Sequence, residues 1–371
     1  MRLFIFIFIL LNCNLINAKI IKPNPSIKPI DVISIQLEAL KNNNDPFDDA
    51  GIIQTWEFAH PNNRIFTGPI NNFIKMIKNP SYSMMLDHLD HKINTIKEMG
   101  AVATIDSDGG HGLVVGPYAM NLAIEKAKKF GIGSVTAMNG RHFGAAAYHA
   151  AMALKHDMIG VAMTTGGMNV VPVDGAKPMV GLNPIGIAVP TGEEPPFIFD
   201  ASTSSVAGNK IILASRLGVP VMPGWVARGD GSPLMEEEMA PDDFMMLPSG
   251  GTRENGAHKG SSLGVWIEIM CGILGGTGGG PGRRSGSAHH FVAYNVEAFQ
   301  DIKLFKSDMD DYMKAIRECP PAPGKEKVIY AGLPEHEEEI ERNNNGIPYH
   351  PEVIAWFKDI SSELQIPWTL T

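Results

Sequence analysis

Cysteine is scarce in this chain, and several common site signatures are missing. Only Cys13, Cys271 and Cys319 occur in 371 residues, and their spacing suits neither a disulfide framework nor a set of metal ligands. The sequence has no Asn-x-Ser/Thr sequon free of proline. It also has no G-x-G-x-x-G at a strand-to-helix turn, so an ordinary Rossmann site is not indicated. The lack of a disulfide framework and of a sequon is typical of an intracellular protein body.

Positive charge is also in short supply. The chain carries 31 Lys and Arg against 40 Asp and Glu, a net charge of −9, which argues against nucleic acid or an anionic membrane as the main partner. A substrate that is itself a carboxylate would need a local positive site. The hydrophobic content of 44% and charged content of 19% indicate a globular protein with a real core.

The first 18 residues have the pattern of a secretory leader. Met1-Arg2 is followed by an apolar run from Leu3 to Leu11, and Asn17-Ala18 offers a cleavage point. Residues 1–18 are therefore predicted to be a signal peptide, since the run is too short to span a membrane. An uncleaved anchor is the alternative. The leader predicts a secreted protein or one in the secretory-pathway lumen, and a cytoplasmic one if the leader is not real.

Strand and helix patterns alternate through the middle of the chain, which predicts an α/β fold. Val114 to Phe130 is an amphipathic helix that Gly131 should end. A Gly-rich segment, Gly275 to Gly286, is predicted to be flexible. The other predicted strands are Ile132 to Met138, Met158 to Thr165, Gly181 to Val189, Pro196 to Asp200 and Phe291 to Val296, and the other helices are Ala145 to Lys155, Leu263 to Leu274 and Asp308 to Arg317.

His142 stands where a strand gives way to a helix. The β-type run Ser134 to Met138 stops at Asn139-Gly140, a turn signal, and small apolar residues continue from Ala145. Such junctions carry sites in α/β folds, because the scaffold holds the backbone while the side chain faces a crevice. An imidazole there can accept a hydroxyl proton near neutral pH. The local sequence equally allows a capping or core histidine.

Six short segments carry motifs that follow one another along the chain. They are I-D-S-D-G-G-H-G at 105–112, N-G-R-H-F-G-A-A at 139–146, V-V-P-V-D-G-A-K at 170–177, G-L-N-P-I-G-I-A at 181–188, F-D-A-S-T-S at 199–204 and G-A-H-K-G at 256–260. Together they resemble the type 2 malate/L-lactate dehydrogenase family, which also includes sulfolactate and ureidoglycolate dehydrogenases. The resemblance runs from about Gly68 to about Trp368.

The resemblance implies a fold and a domain order. The fold is a non-Rossmann α/β arrangement, a mixed and largely antiparallel sheet flanked by helices, with a smaller helical substrate region built from both chain ends. The implied domains are a divergent N-terminal region at 19–100, a cofactor-binding domain at 101–290 and a C-terminal part at 291–371 that packs back on the N-terminal region. The family further implies a homodimer with its site near the subunit boundary.

The resemblance also assigns roles to residues. His142 matches the family's acid/base, while Gly166, Asp200, Ala201, Ser202 and Lys259 match positions that line NAD or NADP. A glycine admits a close backbone, an acid accepts ribose hydroxyls and a lysine offers charge to phosphate. The alternatives are a turn acid for Asp200 and a surface lysine for Lys259. Arg283 and Arg284 are candidates near the cofactor phosphate, and no metal is implied.

One stretch departs from the family pattern. Where the family has Ser-His-Gly and then an arginine that holds the substrate carboxylate, this chain has Asp49-Ala50-Gly51 and Gln54. Arg64 or His60 could take over, the gene model could lack an exon, or the chemistry could be lost. Arg141, beside His142, and Arg64 are therefore the candidates for binding the carboxylate.

These features predict an NAD(P)-dependent oxidoreductase that transfers a hydride between the nicotinamide cofactor and a small 2-hydroxy acid such as malate or lactate. The partner molecules would be the 2-hydroxy acid or its 2-oxo acid. The alternative is a catalytically impaired secreted paralogue that acts as a binding or structural protein. Ala50 and Gln54 favour this alternative, whereas His142, Asp200 and Lys259 favour the enzyme.

Overall fold

A computed structural model describes residues 20–27, 29–59, 64, 69–79, 86–87 and 94–368 of the chain. The predicted leader at 1–18 therefore lies outside the described residues, as does His60. The chain forms two compact units, one from residues 1–92 and 348–371, the other from residues 93–347. The predicted domain boundaries lie elsewhere, at 100/101 and 290/291, and the functions given to those domains stay predictions. None of the helices within the described ranges has the length and apolar character needed to cross a membrane.

The first unit is helical. Its helices are α1 (Pro29–Lys41), α2 (Ala50–Glu57), α3 (Ile70–Ile77) and a last helix at Pro351–Glu363. Leu40, Ile52, Phe73 and Ile77 form a small buried core. The helices α1 and α2 approach each other at Gly51, where a Cβ would lie 2.0 Å from the Ala39 carbonyl oxygen.

The second unit is built on a mixed sheet of seven strands within the described residues. Its strands are β1 (Asn94–Met99), β2 (Val102–Asp106), β3 (Ile132–Gly140), β4 (Met158–Thr164), β7 (Ile185–Val189), β8 (Phe197–Ala201) and β11 (Ser287–Asn295). They lie in the order β1-β2-β3-β11-β4-β7-β8. Among these strands, only β2 and β3 run parallel, and the other five pairings are antiparallel. The mixed sheet flanked by helices confirms the predicted α/β class.

Helices pack closely against this sheet. The helices of the unit are α4 (Gly112–Phe130), α5 (Ala146–Ala151), α6 (Gly208–Leu217), α7 (Ala257–Glu268), α8 (Ile302–Arg317) and α9 (Leu333–Asn345). The core between the sheet and α4 and α5 is rich in alanine. A Cβ on Gly133 of β3 would lie 1.9 Å from the Ala123 carbonyl oxygen of α4, so the backbones touch wherever side chains are small.

A smaller four-stranded sheet extends the second unit. Its order is β6-β5-β10-β9, and its strands are β5 (Met168–Val170), β6 (Val180–Gly181), β9 (Val226–Ala227) and β10 (Met245–Met246). A second buried core includes Val170, Val226 and Leu234 together with Ile211 of α6. This sheet fixes the long irregular stretch between β8 and α7.

Several predicted elements have different ends in the structure. The helix predicted from Leu263 begins at Ala257 and passes into a π-helical turn, Ile269–Ile273. The helix predicted at Ala145 to Lys155 ends at Ala151, and a 3-10 turn follows at Leu154–His156. By contrast, α4 ends where predicted, at Gly131 with φ 83°.

Candidate functional site

Two of the six motif segments lie side by side and hold the backbone around His142. Backbone hydrogen bonds join Ser107 N to Met138 O at 2.9 Å, Gly109 N to Asn139 O at 2.9 Å, Arg141 N to Gly110 O at 3.0 Å and Gly112 N to His142 O at 2.9 Å. Asn139 has a left-handed backbone with φ 56° at the point where β3 shifts register against β11. The predicted turn at Asn139-Gly140 is therefore a bulge inside the strand.

The side chains of Arg141 and His142 are exposed at the end of β3. No hydrogen bond or ion pair to another described residue engages either one. Their backbone is held on both sides, so the loop presents an imidazole and a guanidinium from a fixed base. The exposed position does not match the core alternative for His142, and the N-cap of the next helix is Ala145. The catalytic role of His142 stays a prediction.

A buried aromatic group supports this loop from behind. Phe143 is 3% exposed, and its ring centre lies 4.4 Å from that of His149 and 4.6 Å from that of His289. The Nε2 of His149 donates to the Phe143 carbonyl at 3.0 Å. Burial lowers the pKa of His149 and, reinforced by repulsion from His149, lowers the pKa of His289 to about 3. Both rings are neutral at physiological pH and act as core side chains.

Asp200 connects the His142 loop to the strands that carry the cofactor candidates. It lies near the end of β8, and its Oδ2 accepts a hydrogen bond from Ala147 N at 2.8 Å. The carboxylate thus stabilises the exposed amide end of α5, where a negative charge is favourable. Its Oδ1 has no partner among the described residues, so it remains able to accept from a ligand hydroxyl. The predicted ribose contact is untested.

Gly166 and Thr203 both contact one short segment, Leu182–Asn183. Gly166 N donates to Asn183 Oδ1 at 2.8 Å, and Thr203 N donates to Leu182 O at 2.8 Å. Thr203 directly follows Ser202, and Ala201 pairs with Ile185 of the neighbouring strand. Their predicted contact with the cofactor is untested.

Lys259 joins the same region from α7. Lys259 lies in the first turn of this helix, because the helix begins at Ala257 and not at the predicted Leu263. Asn183 Nδ2 donates to Gly264 O of the same helix at 2.8 Å. Lys259 is exposed, and no described carboxylate neutralises it. An unpaired ammonium in the first turn of a helix adds to the positive end of the helix dipole. It fits the phosphate of a dinucleotide, a role that stays a prediction.

Three residues hold this region together, and two of them, Asn183 and Glu268, were not assigned from the sequence. Asn183 Nδ2 donates to Glu268 Oε2 at 3.0 Å, and Arg283 Nε donates to Glu268 Oε1 at 3.1 Å. Arg283 Nη1 also donates to Gly166 O at 2.8 Å. Asn183 lies in the G-L-N-P segment, but nothing in the local sequence marks Glu268 within an apolar helix.

Arg283 and Arg284 both have contacts within the protein. Arg283 pairs with the buried Glu268, and Arg284 Nη2 donates to Gly276 O at 2.8 Å. The Gly-rich segment 275–286 is consequently held by charged hydrogen bonds at Glu268 and is not the free loop that its composition predicts. The predicted place of both arginines near the cofactor phosphate is untested.

The stretch that departs from the family pattern has structural contacts in the first unit. Ala50 is buried, and Asp49 Oδ2 accepts from Lys78 Nζ at 2.7 Å. Gln54 Oε1 accepts from Ile21 N at 2.7 Å while its Nε2 donates to Ile21 O at 2.9 Å. Gln54 therefore pairs with a backbone segment as a strand neighbour would.

Arg64 is also engaged within the first unit. Its Nε donates to Ala59 O at 3.1 Å, its Nη2 donates to Glu57 O, and its guanidinium lies 5.5 Å from the centre of the Trp56 ring. These contacts account for much of its donor capacity. Its predicted role in binding the substrate carboxylate is untested.

Neither thiol in the described chain belongs to a cluster of metal-ligating side chains. Within the described ranges, no three His, Cys, Asp or Glu residues gather as metal ligands would. Cys271 and Cys319 are free thiols, the first buried and the second exposed. Burial, followed by the charge of Glu268, raises the pKa of the Cys271 thiol well above its usual range, so it stays protonated.

Known proteins resemble this chain in both sequence and structure. The malate dehydrogenase of Pyrococcus abyssi is 34% identical over 286 residues, which are 75% of this chain and 79% of that protein. The L-sulfolactate dehydrogenase of Methanocaldococcus jannaschii is 32% identical over 348 residues, 91% of this chain and 97% of that protein. The crystal structure of malate dehydrogenase from Entamoeba histolytica has a TM-score of 0.69 at 28% identity, covering 91% of this chain and 98% of its own.

The sequence profile of one family, malate/L-lactate dehydrogenase, matches residues 75–358. The matched range contains all six motif segments and the whole sheet of the second unit. It confirms the resemblance predicted from those motifs. The chain belongs to the malate/L-lactate dehydrogenase family.

Proposed function

We propose that this protein is an NAD(P)-dependent dehydrogenase of a small 2-hydroxy acid such as malate or lactate, with His142 as the general acid/base. One observation carries the assignment. The exposed His142 imidazole has no partner among the described residues, although its backbone is fixed on both sides by the 107–112 segment. The malate, sulfolactate and lactate dehydrogenases among its relatives support a hydroxy acid as the substrate.

In the oxidation direction, the neutral His142 ring takes the proton from the substrate hydroxyl. A nicotinamide cofactor, when bound, would accept the hydride from the carbon that bears this hydroxyl. The product is a 2-oxo acid, and in the reverse direction the imidazolium of His142 returns the proton to the oxygen. Arg141, adjacent to His142, offers a planar guanidinium that pairs with a carboxylate through two hydrogen bonds. Holding the carboxylate beside the base would give both events one geometry.

The residues along the Leu182–Asn183 segment would hold the cofactor. Gly166 admits a close backbone, Asp200 has a free carboxylate oxygen, and Lys259 offers an unpaired charge. Ala201 and Ser202 directly follow Asp200 in the sequence. The proposed cofactor-binding fold is not a Rossmann fold. This is supported by the large sheet, where only one pair of the described strands, β2 and β3, is parallel.

The substitution His142→Gln tests the role of the base. We expect the variant to bind NADH or NADPH as the native chain does, because the ring acts on the substrate. Its oxidation rate should fall by roughly two to four powers of ten. His336→Gln, at an exposed position on α9, is the matched control. Native-like turnover by a folded His142→Gln protein would remove this residue from the mechanism.

A second function is favoured by the first unit. Ala50 is buried and Gln54 pairs with Ile21, where the family resemblance implies residues that handle the proton and the carboxylate. The chain could then be a secreted paralogue that binds a ligand without turnover. Titration followed by nicotinamide fluorescence, together with assays on malate, lactate and sulfolactate, separates the two. Cofactor binding without turnover of any of these acids would favour the paralogue.

The proposed assembly is a homodimer. Its structural support is the apolar surface of α7 and the turn after it, where Leu263, Trp266 and Leu274 are exposed. These apolar residues are exposed on one helix and the turn after it, whereas exposed apolar residues on a monomer are usually scattered singly. Light scattering at micromolar concentration should give twice the chain mass, and a monomer mass would contradict the proposal.

The proposed localisation rests on sequence alone. The basic start, the apolar run and Asn17-Ala18 favour entry into the secretory pathway with removal of residues 1–18. N-terminal sequencing of the protein recovered from its native source should begin at about Lys19. A chain that retains Met1 would contradict cleavage.

A further inference from the structure

The backbone of Gly166 is held by side chains on both of its polar groups. Its N–H donates to Asn183 Oδ1, and its carbonyl accepts from Arg283 Nη1, both at 2.8 Å. Turn peptides near a protein surface usually satisfy these groups with water or neighbouring backbone. Here two side chains from distant parts of the sequence hold the two successive peptides on either side of the Gly166 Cα.

Asn183 is the first of these side chains, and it has no freedom to rotate. It is 0% exposed, and its backbone is left-handed with φ 36°. Its amide is fully used, because Oδ1 accepts from Gly166 N while Nδ2 donates to Gly264 O and to Glu268 Oε2. The carboxylate and carbonyl acceptors fix which end of the amide faces Gly166.

Glu268 and Arg283 form the second support. Their side chains are 5% and 14% exposed, so the pair is largely removed from water. Glu268 Oε1 accepts from Arg283 Nε and Nη2 and from Gly280 N. Arg283 therefore extends its remaining Nη1 to Gly166 O from a fixed position. Removing one partner of such a desolvated pair would leave the other charge buried without a counter-ion.

We propose that Asn183, Glu268 and Arg283, here called the Gly166 clamp, are positioning residues that set the Gly166–Gly167 backbone for the dinucleotide. The proposal rests on the cofactor role proposed above for Gly166. Gly167 is exposed, and a Cβ on it would meet nothing within 4 Å, so this backbone borders open space on one side. The clamp occupies both polar groups of Gly166, and a Cβ on Gly166 would lie 3.0 Å from Leu182 N, so the open part of this backbone is at Gly167.

Two conservative substitutions test the Gly166 clamp. Arg283→Lys keeps the charge but cannot reach Glu268 and Gly166 O together, since it lacks the planar fork. Glu268→Gln keeps the shape but leaves Arg283 without a counter-ion. Arg228→Lys is the matched control, because Arg228 forms an exposed pair with Glu238 in the same unit.

The first readout is fluorescence titration with NADH and NADPH, followed by steady-state kinetics. We expect both clamp variants to raise the Kd of the preferred dinucleotide at least about tenfold. At saturating cofactor, kcat and the KM of the hydroxy acid should stay within about twofold, and the control should match the native chain. A folded Arg283→Lys variant with native Kd would overturn the proposal. A loss of kcat and Tm with unchanged Kd would reduce the clamp to a purely structural role.

The second readout does not require a cofactor. Hydrogen exchange of peptides covering residues 165–168 should be faster in Arg283→Lys than in the native chain or in Arg228→Lys. Unchanged exchange would refute positioning even if Glu268→Gln failed to fold. If the native chain binds neither dinucleotide while exchange responds as expected, the cofactor role of Gly166 fails and the clamp orders this backbone for no dinucleotide.

Discussion

Acid should destabilise the second unit through two buried histidines on β11. His289 and His290 are 0% and 1% exposed, with Thr164 Oγ1 2.7 Å from His289 Nδ1 and Ser134 Oγ 3.2 Å from His290 Nε2. Burial lowers the pKa of His289 to about 3, with repulsion from His149 as a second cause, and lowers that of His290 to about 4. The folded state thus excludes protons that the unfolded chain binds below its ordinary pKa of about 6.5.

The magnitude follows from proton linkage. Above about pH 6.5 the two histidines make their full contribution to the free energy of unfolding. That contribution falls as the pH drops toward their pKa values in the folded state. One unit of pKa corresponds to about 1.36 kcal/mol. At pH 5, about 1.5 units below the ordinary histidine value, each ring costs about 2 kcal/mol and the pair about 4 kcal/mol. Total stabilities of about 5–15 kcal/mol make this a large fraction.

Urea denaturation at pH 7.5 and pH 5.0 measures the effect. A double variant, His289→Gln and His290→Gln, removes both titrating rings and should be less stable at pH 7.5 because core packing suffers. Its loss of stability between the two pH values should nevertheless be smaller than that of the native chain by about 4 kcal/mol. His336→Gln, at an exposed site, should keep the native slope. Parallel pH dependences for the native chain and the double variant would refute the reasoning.

Three further substitutions have definite expected outcomes. Gly51→Ala would place a Cβ 2.0 Å from Ala39 O, so α1 and α2 must separate, and limited proteolysis should cut the first unit faster than in the native chain. Asp200→Asn removes the charge that meets Ala147 N and should lower stability by about 1 kcal/mol in thermal melts; an unchanged Tm would contradict the capping role. Gln54→Leu loses both hydrogen bonds to Ile21, so exchange of peptides near Ile21 should accelerate, and native-like exchange would show that other contacts hold this segment.

Local pattern predicts those parts of the fold in which neighbouring residues suffice. The amphipathic period of α4 and its terminal Gly131 give both the helix and its end. The apolar run before Asn139 gives β3, although the strand extends to Gly140 through a bulge that only pairing with β11 reveals. β11 itself begins four residues before its predicted start, since its histidines do not have the character of core residues.

The candidate site divides in the same way. His142 can be found from its strand-to-helix junction, whereas its support by Phe143, His149 and His289 depends on contacts across the sheet. The Gly166 clamp is invisible locally, because Gly166 and Arg283 are 117 positions apart and each is ordinary in its own segment. A Gly-rich composition predicts flexibility for 275–286, but a single buried carboxylate at Glu268 reverses that expectation.

The central place of β11 has a consequence for synthesis of the chain. β11 pairs with both β3 and β4, and Ser134 and His290 are 156 positions apart. During translation, β3 and β4 therefore emerge long before the strand that joins them. Until then each presents an open edge that can pair with another nascent chain. A ribosome that stalled or terminated before Ser287 would release a polypeptide carrying His142 and Gly166 but lacking the strand between them. Such truncated products should aggregate, because the edges of β3 and β4 that β11 covers stay unpaired.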